Sequence, residues 1–176
     1  VTTGMIFAKF SRPTSKILFT ENMLMTNFEK KKVLMFRVAN ARNNQIINAN
    51  IEVMYTYDHV TPEGVRMRRF EPLQLQRNYT PLFALSWTIL HDITEPSPFY
   101  HKSIHDLKKG QIEIFVIIHG HDSVFGQTIH QMYNYKPDDI LIDYYFEDFL
   151  TQNEHGTRIL DYSKFNKTYK KLENSH

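Results

Sequence analysis

Lys32-Val-Leu-Met-Phe-Arg-Val-Ala-Asn-Ala-Arg42 places Val33, Met35, Arg37 and Ala39 on one side of the chain and Leu34, Phe36 and Val38 on the other. Successive side chains of extended backbone point to opposite faces, so this period predicts a half-buried strand over 32–40. Ile46 to Tyr57 repeats the signal. There Ile47, Ala49, Ile51, Val53, Tyr55 and Tyr57 share one parity, with Asn48, Asn50 and Glu52 opposite. Thr61-Pro-Glu-Gly64 supplies a turn, because proline presets its own φ and glycine tolerates positive φ. Val65 to Leu75 then reads as the returning strand.

Further along, Leu82 to Ile93 is apolar enough to begin another strand, and Pro96 and Pro98 break regular pairing in the stretch that follows. Ser103 to Gly110 has the length and closing glycine of a short helix. Ile112 to His119 and Val124 to Tyr135 read as the arms of a hairpin around Gly120-His-Asp-Ser123. Short strands follow near 140–142 and 158–160. Long crossover helices are missing from the pattern, which favours an all-β antiparallel sandwich with one or two short helices over a βαβ fold.

Composition narrows the function. The chain has 176 residues, suited to one principal domain, with 41% hydrophobic, 14% aromatic and 23% charged residues. Its formal charge of +2 is too small to draw nucleic acid by long-range attraction, so no nucleic-acid partner is expected. Cysteine is absent, which excludes thiolate nucleophiles and cysteine zinc sites. No run approaches the ~18 apolar residues of a membrane-spanning helix. The first residue is Val1, and a preceding segment is expected.

Nine histidines invite a test for metal or catalytic chemistry. His101 and His105 have helix spacing without a His-Glu-x-x-His motif or a third ligand. His119 and His121 have strand spacing beside Asp122, a weak constellation for a small hydrolase. Asp138-Asp139 and Glu147-Asp148 lack a base or metal frame. The six glycines form no Gly-x-Gly-x-x-Gly phosphate cradle. No catalytic residue, metal ligand or cofactor is predicted.

Thr3-Gly-Met-Ile-Phe-Ala-Lys-Phe-Ser-Arg-Pro13, Leu34 to Arg42 and His91-Asp-Ile-Thr-Glu-Pro-Ser-Pro-Phe-Tyr100 occur in the order found in inward-rectifier potassium channels. The chain resembles the prokaryotic branch of that family over nearly its whole length. The resemblance implies a C-terminal cytoplasmic domain with an immunoglobulin-like β-sandwich, assembled as a homotetramer around a potassium path. Residues 1–16 would be the inner-helix end and membrane-proximal linker, 17–170 the sandwich, and 171–176 a tail. The family's transmembrane helices and selectivity filter are absent from this sequence.

The resemblance also implies sites. Lys9, Arg12, Lys16 and Arg42 correspond to basic contacts with anionic lipid headgroups, a juxtamembrane cation being worth about 1 kcal/mol near an anionic leaflet. Arg42 has an alternative use, holding a protein contact through its planar donor fork. Thr14 and Ser15 replace the paired basic residues of eukaryotic members, which weakens the expectation of a polyphosphorylated lipid. The late hairpin corresponds to the cytoplasmic constriction, with Val124 or Phe125 narrowing the path, Gly126 permitting an unusual φ, and Asp122 attracting cations if it faces inward. Asn48 stands where strong rectifiers carry an acid, and Gln74 repeats that loss, so weaker capture of multivalent cations is expected. The competing reading is a soluble β-sandwich interaction module.

Overall fold

A computed structural model describes residues 16–171. Two five-stranded sheets face each other. The first contains β1 (Ile17–Phe19), β2 (Met23–Phe28), β3 (Lys31–Asn40), β7 (Ser86–Asp92) and β10 (Ile140–Ile142). The second contains β4 (Ile46–Val60), β5 (Arg66–Leu73), β6 (Tyr79–Phe83), β8 (Glu113–Asp122) and β9 (Thr128–Tyr135). The all-β sandwich expected from the sequence is present. Its pairing is antiparallel except where β10 runs parallel to β2, with Ile140 opposite Met23.

The core lies between the sheets, where Leu34, Phe36 and Val38 of β3 meet Ile51 and Val53 of β4 and Ile114, Val116 and Ile118 of β8. Each such side chain contributes about 2 kcal/mol by leaving water. The other face of β3 is not half-exposed as the alternation predicted; the strand is buried from Val33 to Asn40. Val33 and Met35 lie with Leu24 under Tyr144 and Phe146, and Ala39 packs with Phe149 and Phe165. The covering comes from the last third of the chain, which folds back as β11 (Tyr144–Phe146) against β14 (Thr168–Lys170) and β12 (Leu150–Gln152) against β13 (Arg158–Leu160).

Two interruptions set the geometry of the second sheet. The pairing of β4 with β8 shifts between Ile47 and Asn50, and Asn48 takes a φ of 50° at that bulge. The extra residue reverses the parity, so Ile46 is buried and Ile47, expected on the core face, is 38% exposed. Opposite the bulge, a Cβ on Gly120 would sit 2.5 Å from Ile46 Cγ2 and 3.2 Å from the Ile47 carbonyl oxygen. Gly120 is therefore a close-approach residue inside β8 rather than part of the turn.

The predicted single strand over 82–93 is two strands, β6 in the second sheet and β7 in the first. Asn40 holds the crossing by donating its backbone N–H to Leu85 O and its side-chain amide to Phe83 O. The 61–64 turn is formed, with Gly64 at φ 84°. The predicted helix is α1 (Ile104–Lys109), started by a reciprocal Ser103–Asp106 capping box and anchored by buried Leu107.

Candidate functional site

The turn joining β8 to β9 spans 123–127, three residues later than the sequence pattern indicated. Val124 and Phe125 are 66% and 65% exposed at its tip, two adjacent apolar side chains facing solvent. Gly126 follows at φ 66°, where a side chain would be strained. The tip is mounted on Asp122. One oxygen of that carboxylate accepts the N–H groups of Val124 and Phe125, both at 2.8 Å. The other accepts Arg42 Nη2 at 2.6 Å and Asn44 Nδ2 at 3.2 Å. Ser123 N–H donates to Gln45 O at 3.0 Å, fastening the tip to the β3–β4 connection.

This arrangement reassigns two residues. The Asp122 side chain is 0% exposed and that of Arg42 is 5% exposed, and they neutralise each other. Asp122 faces the protein interior and is not an available cation-attracting charge. Arg42 is held by Asp122 rather than presented to a headgroup, in keeping with the donor-fork use of arginine. The Phe125 amide first, then those of Val124 and the Asn44 and Arg42 side chains, overcome burial and hold the Asp122 carboxyl at about 2.

The remaining expected positions divide by place. Lys9 and Arg12 lie outside the described residues. Lys16 is exposed, and its carbonyl accepts the Ala41 N–H at 3.2 Å. Asn48 is exposed at the β4 bulge, where its Oδ1 accepts the Tyr79 hydroxyl at 2.8 Å. Gln74 is exposed near the end of β5, and its main-chain carbonyl accepts from His91.

The hydrolase constellation does not come together. His119 and His121 lie on the outer face of β8 while Asp122 points inward. The His119 ring instead stacks on His130, with centroids 5.8 Å apart. His101 precedes α1, so it shares no helix face with His105. Among the described residues no group of three His, Cys, Asp or Glu is placed to hold a metal ion.

Two residues whose role the sequence reading missed organise the quoted motifs. Arg37 is 7% exposed and reaches the C-terminal segment, donating to the carbonyls of Glu147 at 2.6 Å and Phe165 at 2.5 Å. Its guanidinium also lies 4.6 Å from the Phe146 ring centroid and 4.5 Å from that of Phe149. Burial pushes its pKa down to about 10, opposed by Asp148 and Glu147. The signal was a charge at a strand position whose neighbours of the same parity are apolar.

His91 braces the proline-rich stretch. Its Nδ1 donates to Gln74 O at 2.5 Å, so Nε2 accepts the Ser97 hydroxyl at 2.8 Å. Ser97 Oγ in turn accepts the Phe99 N–H at 3.2 Å. Burial lowers the His91 pKa and keeps the ring neutral in that role. His91, Gln74 and Ser97 line a cleft of about 470 Å³ that also includes Gln76 and Asp92.

A family-wide comparison matches residues 17–175 to the inward rectifier potassium channel C-terminal domain. The chain belongs to that family. It is 38% identical to the inward rectifier potassium channel Kirbac3.1 of Paramagnetospirillum magnetotacticum, over 94% of this chain and 56% of that protein. It is 32% identical to the mouse (Mus musculus) ATP-sensitive inward rectifier potassium channel 12, over 94% of this chain and 40% of the relative. The bovine (Bos taurus) G protein-activated inward rectifier potassium channel 1 is also 32% identical, with 94% and 34% covered. The inward rectifier domain thus spans about half, or less, of the relatives it matches. Among its described residues no helix is long and apolar enough to cross a membrane.

Proposed function

We propose that this chain is the cytoplasmic pore and gating domain of a homotetrameric inward-rectifier-type potassium channel, coupling anionic-lipid or cytoplasmic signals to potassium conduction without enzymatic turnover. The observation that carries the reading is the apolar tip. Val124 and Phe125 project from a backbone fixed by a buried ion pair, so the exposure belongs to a held shape. Four such tips around an axis form an apolar constriction whose width changes with small displacements of the hairpin. Such a constriction gates by its diameter and by excluding water.

An assembly surface is available. The outer face of the second sheet carries Phe70 and Met132 at 62% and 63% exposure, with Phe115 and Ile117 between them in the register. An apolar stripe of this kind supports association. Lys9, Arg12 and Lys16 are the cations that meet the anionic leaflet. The Asn48 amide contributes no charge to the path, which favours weak capture of multivalent cations.

Potassium flux through the full channel in vesicles of graded anionic-lipid content tests the reading, with Arg12→Glu beside the parent. Charge reversal at the membrane boundary is expected to change the lipid response and leave ion preference unchanged. A normally assembled variant with unaltered lipid dependence contradicts the gating role of the linker.

A further inference from the structure

The point where the chain enters the sandwich is held by a side chain from the hairpin that bears the tip. The Lys16 carbonyl accepts the Ala41 N–H, and Ile17 lies opposite Asn40 in the β1–β3 register. That alternation directs the main-chain groups of Ile17 away from β3. There Gln131 of β9 meets both. The Ile17 N–H donates to Gln131 Oε1 at 2.8 Å, and Gln131 Nε2 donates to the Ile17 carbonyl at 2.6 Å. One carboxamide therefore does what a neighbouring strand does elsewhere, across 114 residues of sequence.

The opposite arm has its own link to the same entry point. Ala41, bonded to Lys16, is followed by Arg42, which binds Asp122 at the end of β8. Asp122 holds Val124 and Phe125. Both arms of the hairpin are thus attached to residues 16–17, one through Gln131 and one through the Arg42–Asp122 pair. Both links are made of hydrogen bonds rather than apolar contacts, and hydrogen bonds of this geometry fix position.

We propose that Gln131, together with the Arg42–Asp122 pair, is a positioning device for the gate, joining the linker to the Val124–Phe125 tip so that the two move as one body. The proposal rests on the gating function given above. It makes Gln131 a residue whose loss uncouples the lipid signal from the tip while leaving the potassium path itself intact.

The test uses the full channel in vesicles containing graded anionic phospholipid, with a spin label on Ser123→Cys; this chain has no cysteine of its own. Label-to-label distances report the tip, potassium flux reports the gate, and thermal melting reports stability. Gln131→Leu removes both bonds at similar volume. The expected result is a lipid requirement raised about tenfold, a tip distance that no longer responds to lipid, and unchanged ion preference. A lowered melting temperature with a normal lipid response makes Gln131 merely structural and overturns the proposal. If Gln131→Leu does not assemble, Gln131→Glu decides by the same readouts, since it keeps the acceptor for the Ile17 N–H and sets a carboxylate oxygen against the Ile17 carbonyl. A parent channel that conducts potassium without any lipid response refutes the coupling, whereas a parent that conducts none refutes the functional reading beneath it.

Discussion

Arg37 and Arg42 lie in the same short stretch of sequence and are both withdrawn from solvent, yet they hold different parts of the molecule by different means. Arg37 donates to neutral carbonyls and lies over aromatic rings of the C-terminal segment, with no carboxylate in salt-bridge contact among the described residues. Arg42 meets a carboxylate that is itself engaged by the tip of the β8–β9 hairpin. The difference teaches that burial of a cation does not specify its use. Carbonyls and ring faces make Arg37 a staple for a covering layer, while the carboxylate makes Arg42 part of the mount of an exposed loop.

The largest effect is expected from Arg37→Ala. It leaves the Glu147 and Phe165 carbonyls without their donor and opens space beneath Phe149, at a cost of about 1–3 kcal/mol for each carbonyl left unsatisfied. Chemical denaturation measures it, and proteolysis should cut first within 147–165. A variant melting like the parent with its C-terminal segment protected would remove the staple from the account.

Asp122→Ala should disturb the tip more than the fold. Hydrogen exchange at the Val124 and Phe125 amides is expected to speed up on the order of tenfold or more, with amides of the β11–β14 layer less affected. Equal acceleration in both places would mean that the two arginines serve one cooperative unit.

Acid gives a smaller, graded version of the same separation. The Asp122 carboxyl is held at about 2, below its ordinary 3.8. A carboxylate with a depressed folded-state pKa adds stability that is fully present above its unfolded value and is lost as pH falls through the folded one. Tip protection should therefore decline between about pH 4 and pH 2 in the parent and not in Asp122→Asn, which has no carboxyl to titrate. Loss at the same pH in both proteins would assign the acid response to other groups.

Much of the sandwich was legible because its signal is local. Alternation at 32–40 and 46–57, the 61–64 turn and the 103–110 helix each depend on neighbouring residues, and each is present. What failed depended on distant partners. The second buried face of β3 requires a layer contributed more than a hundred residues later, so alternation alone read it as half-exposed. The bulge at Asn48 reversed the parity of Ile47, and Gly120 looked like a turn because its crowding against Ile46 has no local trace. At the site, Val124 and Phe125 were singled out through the resemblance, and both are exposed. Asp122 and Arg42 were each visible as single residues, but their pairing was not, since 80 residues separate them.

The most direct measurement of the central claim is the particle structure of the full channel. The account predicts a fourfold particle in which four Val124–Phe125 tips surround one continuous axial path beneath the membrane. A stable monomer or dimer, or a tetramer with those tips turned away from the axis, would contradict it.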